Sequence, residues 1–363
     1  MPNSTPDLSQ QADAVVHSPG LAENTSFLRV LVRHLNLVLL VIAAVFLVIM
    51  LRRLDWSSLW RYFLQVGYYW PLLLVPYGLV NYLGTISWQF LLPDRENRPS
   101  FMRLFFLRLA GESLNQLTPT ASMGGEPFKV LRLKDSGVAW EEATASVVIQ
   151  KAIGVLSLVL YIFVGLILSA SMLDVSPSRL GIPGLAALVL GIAGLAFLTV
   201  QRRGPCVLVI RFLESCRVCP SKLKAKEQEL ASLDSSLESF YRKHPTRGLM
   251  AFLLFFLSWF CHGTEVYLIF RLLGHPIDWG VAVCVDSLVM LFAALGFMIP
   301  ASAGVQEGGA ILVSLGLNLG ATLGGAFAIM RRVREAFWLS LGLLVAFVEN
   351  RAGHETTELK IPR

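Results

Sequence analysis

A chain of 363 residues that is 55% hydrophobic and 15% charged, with a mean hydropathy of +0.61, carries too little charge for a soluble domain, where about a quarter of residues are charged. Several apolar runs reach the ~20 residues needed to cross a bilayer, so the composition describes a polytopic α-helical membrane protein and excludes a soluble globular one. The surplus of 31 Lys and Arg over 25 Asp and Glu, a net +6, fits cytoplasmic loops facing anionic lipid; no nucleic-acid partner is indicated.

Residues 1–26 are polar, lack the basic-then-apolar order of a signal peptide and read as a disordered tail. Residues 27–350 read as a single transmembrane domain, with 351–363 as a C-terminal tail. The first span is Leu35 to Leu51. A Trp- and Tyr-rich segment, Trp56 to Trp70, suits the headgroup level, and the second span is Pro71 to Leu92. Phe101 to Leu117 carries Arg103, Arg108 and Glu112, crosses poorly and is expected to enter and turn back. Trp140 to Ser169, Pro183 to Val200, Leu249 to Leu273, Val281 to Ile299, the short Ala310 to Leu319, and Ala321 to Val348 complete about seven to nine membrane segments. The fold class is therefore all-α, a multi-pass helix bundle with two Pro/Gly-broken or re-entrant segments.

Between residues 201 and 247 lies one sizeable basic loop, placed in the cytoplasm by its Arg and Lys. Leu223, Leu230, Leu233, Leu237 and Phe240 share one helical face there, an amphipathic helix on the membrane or under the bundle. The bias of arginines around the first spans puts the N-terminus inside. Cys261 and Cys284 read as small core residues. Cys216 and Cys219 have CxxC spacing without a second pair or a βαβ context, and read as incidental.

Asn115 to Leu133 interrupts the apolar pattern with Pro119, Gly124, Gly125, Glu126-Pro127, Lys129 and Arg132. The glycine pair allows positive φ and close backbone approach. Pro127 suits the first turn of a new helix, which holds Glu126 at its positive end. The same order recurs as Pro300, small residues, Gly304, Glu307 and a further apolar helix. Backbone broken inside a bilayer must be buried in protein or line a wet cavity, and paired breaks of this kind point to a transporter's binding site.

Other charges sit where hydrocarbon is expected. Arg331, Arg332 and Arg334 begin about 15 Å into an apolar stretch if it is helical, where each costs at least ~2.5–3.5 kcal/mol at the bilayer centre. Arg331 and Glu335 are four apart and can pair on one face. Two readings stand: interior charges that meet an acid or a lipid phosphate, or a re-entrant half-helix Ala321 to Met330 that returns them to water. Lys151 needs an interior partner, and His262 with Glu265 reads as a packed, hydrogen-bonded couple. Asp286 is a lesser candidate of the same kind, and no metal ligand set is evident.

Asn115, Pro119, Gly124-Gly125-Glu126-Pro127 and Arg132-Leu133 resemble the first signature of the lysylphosphatidylglycerol synthase transmembrane-region family, and Pro300, Gly304 and Glu307 its second. Gly304 to Gly309, Arg331 to Glu335, Glu265-Val-Tyr267 and Leu273-Gly274 are closer to its hopanoid-biosynthesis-associated branch, and Lys151 falls at a commonly basic position. The resemblance covers about Leu35 to Glu349. It implies a multi-pass protein of the bacterial inner membrane; in the best-known relatives this region translocates an aminoacylated phospholipid. The soluble domain that makes that lipid is not expected here, so the synthase activity is not carried over.

The expected function is a lipid transporter or flippase, not an enzyme, acting on a membrane lipid in the bilayer without a cofactor, metal or catalytic residue. Its substrate-binding candidates are Asn115, Gly124, Gly125, Glu126, Lys129, Arg132, Lys151, Gly304, Glu307, Arg331, Arg332 and Glu335. The alternatives are a lipid-modifying enzyme using Glu126 or Glu307 as acid or base, or a scaffold whose basic loop docks lipid-biosynthesis enzymes.

Overall fold

The computed structural model describes residues 56–92, 98–118, 123–172, 227–297 and 299–358, with scattered helical residues between 181 and 199. The predicted span Leu35 to Leu51, the predicted tail 1–26, residues 359–363 of the C-terminal tail, residues 119–122 of the first break and the Cys216–Cys219 pair lie outside these residues, as does much of Pro183 to Val200. The described chain is all-helical, a membrane helix bundle without strands.

Helix α1 (Trp56–Val66) runs through a 3-10 turn (Gly67–Leu73) into α2 (Leu74–Leu91). The predicted start of this span at Pro71 is therefore too late: Pro71 sits inside the 3-10 turn, and Trp60–Leu91 forms one 32-residue helical span. A missing N–H at Pro71 tightens the rod locally without ending it. Next come α3 (Phe101–Leu117), N-capped by the Ser100 hydroxyl accepting from the Arg103 N–H, and α4 (Glu126–Asp135), with Pro127 in its first turn as expected. Helix α5 (Trp140–Met172) follows.

The second half repeats that order. It has α6 (Glu227–Lys243), α7 (Pro245–Leu272), α8 (Trp279–Leu295), a 3-10 turn (Pro300–Ser302), α9 (Val305–Gly316) and α10 (Ala321–Glu358). The continuous α10 removes the half-helix reading of Ala321 to Met330: Arg331 and Arg334 lie mid-helix and are each only 2% exposed. Helix α9 begins directly after Gly304, five residues earlier than its apolar run suggests, because Gly304 at φ +82° ends the turn and opens the helix.

Helices α2 to α5 thus correspond in order to α7 to α10, each set ending in a short helix after a break and then a long one. Their packing is reciprocal, α3 lying on α10 and α8 on α5, while α2 and α7 meet in the centre. The Ser87 hydroxyl donates to the Ala251 carbonyl at 2.8 Å, and the Tyr77 ring meets His262 at 5.6 Å, so α2 and α7 run antiparallel. Matched helices crossing in opposite senses are the arrangement of an inverted repeat.

The polarity distribution is that of a protein solvated by lipid. Leu253, Leu257, Ile167, Leu344 and Phe347 are exposed, whereas Lys129, Glu265, Asp286, Arg331 and Arg334 are buried. Helix α6 lies under the bundle, with Leu233 and Leu237 buried in a cluster that also holds Ile149 and Ala251. Arg247, at the start of α7, donates to the carbonyls of Phe90 and Leu92, satisfying groups that the end of α2 leaves open.

Candidate functional site

Arg108, Glu112 and Asn115 recur at i, i+4 and i+7 and so share one face of α3. Asn115 fastens the first break. Its Oδ1 accepts from the Gly125 N–H at 2.7 Å, and its Nδ2 donates to Glu126 Oε1 at 2.9 Å. The orphan donor at the start of α4 and the first carboxylate of that helix are both satisfied by one side chain. Gly125 does not take the positive φ expected of it but has φ −87°. Its role is proximity: a Cβ there would lie 1.9 Å from the Gly111 carbonyl oxygen, so only glycine lets α4 start against α3.

Two lysines complete the cluster. Lys129 Nζ lies 2.7 Å from Glu112 and 3.2 Å from Glu126, while Lys151 Nζ, reaching from α5, lies 3.3 Å from Glu126. Lys151 thus has the interior partner that its depth in the helix demands. These groups line one end of a cavity of about 540 Å³. Much of its remaining wall is apolar, with Val155, Leu158, Ile162, Phe255, Met290 and Phe297 among the residues that line it. Ser302, from the second break, also lines it. A smaller polar hollow of about 120 Å³ adjoins, bounded by Asn115, Gln116 and Thr118 on one side and by Ile299 to Ser302, Gln306 and Glu335 on the other. The two breaks therefore face each other across the smaller hollow, and Ser302 of the second also borders the larger cavity.

The second break is closed on itself. Glu307 Oε2 accepts the Gly304 N–H at 2.8 Å, and its Oε1 accepts from Arg332. Arg332 also donates to Glu335 at 2.6 Å and to the Ala301 carbonyl at 3.0 Å, and Gln306 donates to Glu335 at 3.0 Å. Ala301 and Ser302 hold φ of +51° and +47°, left-handed values that cost a non-glycine residue ~1–2 kcal/mol each.

The expected pairing of Arg331 with Glu335 does not occur. Arg331 donates to Asp286 on α8 at 2.7 Å, and Asp286 also accepts from the Tyr161 hydroxyl at 2.9 Å. A long helix surrounded by partners offers better-placed acids than its own next turn. Likewise His262 and Glu265 are not hydrogen-bonded. They stand 3.9 Å apart because Arg334 takes both Glu265 oxygens, at 2.8 and 2.9 Å.

Of the residues selected from sequence, Asn115, Gly125, Glu126, Lys129 and Lys151 come together at the cavity, with Gly124 in the turn beside them. Gly304, Glu307, Arg332 and Glu335 gather at the second break. Arg331 stands apart with Asp286. Arg132 lies outside both, donating to Asp135 at 2.9 Å and Asn350 at 3.1 Å. Sequence reasoning missed Glu112 and Arg108 as site residues, although their spacing with Asn115 was visible. Gln150 and His262 also line the cavity. Among the described residues, no three His, Cys, Asp or Glu side chains gather as a metal-binding group.

Residues 36–342 match the family described as the lysylphosphatidylglycerol synthase TM region. A UPF0104 membrane protein of Pyrococcus horikoshii is 23% identical over 246 residues, covering 65% of this chain and 73% of the relative. No solved structure matches the chain.

Proposed function

From the chain's membership of the lysylphosphatidylglycerol synthase TM-region family, we propose that it is a multi-pass lipid transporter of the cell's inner membrane, a flippase and not an enzyme. The cargo is a polar-headgroup lipid, hopanoid-related or resembling an aminoacyl-phospholipid. One observation carries this reading: a cluster of two acids and two lysines, Glu126 and Lys129 buried and Glu112 and Lys151 partly exposed, closes one end of a 540 Å³ cavity whose remaining wall is largely apolar.

Such a cavity accommodates an amphiphile. A headgroup exchanges its hydroxyl, ammonium or oxyanion groups with the Glu112–Lys129–Glu126–Lys151 contacts, while acyl or polycyclic tails lie against Val155, Leu158 and Phe297. Exchange of one set of charge-assisted bonds for another keeps the desolvation cost low at every stage. The antiparallel halves supply a means of opening to one leaflet and then the other, by rocking about a central site.

The test is leaflet exchange in vesicles reconstituted with the purified protein. A headgroup-labelled lipid should become accessible to an external quencher at a protein-dependent rate. Glu126→Gln should slow that rate about tenfold or more, since a charge-assisted hydrogen bond is worth ~1.5–3 kcal/mol. A variant that folds and flips as the parent does would remove Glu126 from the mechanism. A lipid inventory from cells with and without the protein separates transport from synthesis, because loss of a lipid species would favour an enzyme.

A further inference from the structure

The smaller hollow, between the two breaks, draws its polar lining from both halves of the chain. Asn115, Gln116 and Thr118 come from the end of α3, Ser302 from the 3-10 turn, Gln306 from α9 and Glu335 from α10. No lysine, arginine or histidine is among the described residues that line it. A water takes up about 30 Å³ of liquid volume, so a space of about 120 Å³ suits an ion with a few waters rather than a lipid.

The donors around this space are already committed, and acceptors are left over. The Ser302 hydroxyl gives its proton to the Ala293 carbonyl at 3.1 Å, and Gln306 Nε2 donates to Glu335 at 3.0 Å. A hydroxyl that has donated keeps its lone pairs, and a glutamine whose amide nitrogen is engaged keeps its carbonyl oxygen. Gln306 is only 8% exposed, and its Oε1 has no hydrogen-bond partner among the described residues. Ile299, Pro300 and Ala301 border the same space. Their carbonyls accept from the Ser302 N–H, the Ala303 N–H and Arg332 respectively, and each carbonyl oxygen has a second lone pair. The left-handed backbone at Ala301 and Ser302 is strain of the kind that gathers at ligand clamps.

Charge points the same way. Glu307 and Glu335 share one arginine, Arg332. The neighbouring Arg331 and Arg334 are committed to Asp286 and Glu265. The second break therefore carries one carboxylate charge more than its paired arginine offsets, and an uncompensated charge in a protein interior is costly. Oxygen ligands suit hard cations. A single lining carboxylate among neutral oxygens matches one positive charge, whereas Ca²⁺ collects several carboxylates and softer metals take His or Cys.

We propose that this hollow binds a monovalent alkali cation, with Na⁺ as the probe, between Ser302, Gln306, Glu335 and the turn carbonyls, with Gln116 opposite. An ion there ties the first break to the second and favours the conformation in which they meet, since a ligand shifts an equilibrium by its differential affinity for the two states. Unwound backbone of this kind coordinates the coupling ion in other transporters. That role rests on the transport reading; the existence of the site does not.

The experiment titrates the full chain in detergent with NaCl, with ionic strength held constant by choline chloride, and follows thermal unfolding. The midpoint should rise by about 2–4 °C for each tenfold step in Na⁺ above the dissociation constant. Glu335→Gln keeps the shape but removes the charge, and should abolish the rise. Because that variant also disturbs Arg332, Gln306→Met is measured beside it. It removes Oε1 at nearly constant volume and should move the response to about tenfold higher Na⁺.

A midpoint that answers Na⁺ and choline alike, or a Na⁺ response preserved in both variants, overturns the proposal. A midpoint set by pH and indifferent to Na⁺ assigns Glu335 a proton and overturns it equally. Leaflet exchange measured with and without Na⁺ keeps the site apart from the transport reading. Exchange that ignores Na⁺ while the midpoint responds to it leaves the cation site standing and ends its coupling role. A Na⁺-dependent midpoint in a protein that moves no lipid under any ionic condition leaves the site standing and the transport reading fallen.

Discussion

In the first break Glu126 opens α4 and is shared among Asn115, Lys129 and Lys151 at the edge of a large cavity. In the second, Glu307 folds back on the Gly304 N–H and is clasped by Arg332, which also holds Glu335 and the Ala301 carbonyl. The correspondence is positional: Lys151 is the twelfth residue of α5 and Arg332 the twelfth of α10, each facing the acid of the short helix before it. The difference is chemical. Lysine is a point charge with three rotatable donors, and arginine a planar fork that fixes several acceptors at once. One copy of the repeat is built to exchange partners, the other to hold its shape.

The largest expected effect bears on the half that holds its shape. Asp286→Ala leaves Arg331 buried on α10 without its carboxylate, a change that costs about 3–5 kcal/mol. Glu126→Gln leaves Lys129 still paired with Glu112 and keeps an amide in place of the carboxylate, so its cost in stability should be about 1–3 kcal/mol, below that of Asp286→Ala. Thermal unfolding of both variants in one detergent checks the contrast. Equal destabilisation would mean that the two halves are equally rigid and would break the comparison.

A smaller effect separates the glycines. Gly125→Ala places a methyl group against the Gly111 carbonyl, which backbone movement alone can relieve, at about 1–3 kcal/mol or more. Gly304→Ala must hold φ +82°, at about 1 kcal/mol. The order of their midpoints on thermal denaturation tests whether close approach or backbone conformation is the stricter demand.

This contrast explains what could be read before the fold was known. Apolar length located the helices around Trp140 and Leu249, and Pro127 and Gly304 marked helix starts, because those signals are local. Periodicity also grouped Leu233 and Leu237, although only packing against Ile149 and Ala251 shows that they lie under the bundle. Pairing was not legible. Arg331 with Glu335, and His262 with Glu265, are sound choices on one helix, but in the bundle Asp286 and Arg334 outcompete them from α8 and α10. Arg108 was read only as an obstacle to crossing, since the amide that accepts from it, Asn81, belongs to another helix. For Gly125, close approach is legible from sequence and positive φ does not occur; what the sequence does not name is the neighbour, Gly111, because it belongs to the preceding helix.

The finest test exchanges the chemistry of one half for that of the other. Lys151→Arg retains the charge opposite Glu126 but substitutes a fork able to take both carboxylate oxygens, as Arg334 takes those of Glu265. Stability should change by less than about 1 kcal/mol, since the exchanged pair is partly accessible. If the first break works by releasing and remaking its contacts, the added bond deepens the resting state and slows leaflet exchange about three- to tenfold, with the protein's thermal midpoint nearly unmoved. The reciprocal Arg332→Lys should loosen the second break without raising the rate, because Glu307 remains turned toward Gly304 and does not line the large cavity. Were Lys151→Arg to flip lipid at the parent's rate, the lysine at that position would be a structural strut like its counterpart, and the distinction between an exchanging half and a locked half would have to be sought elsewhere in the cavity.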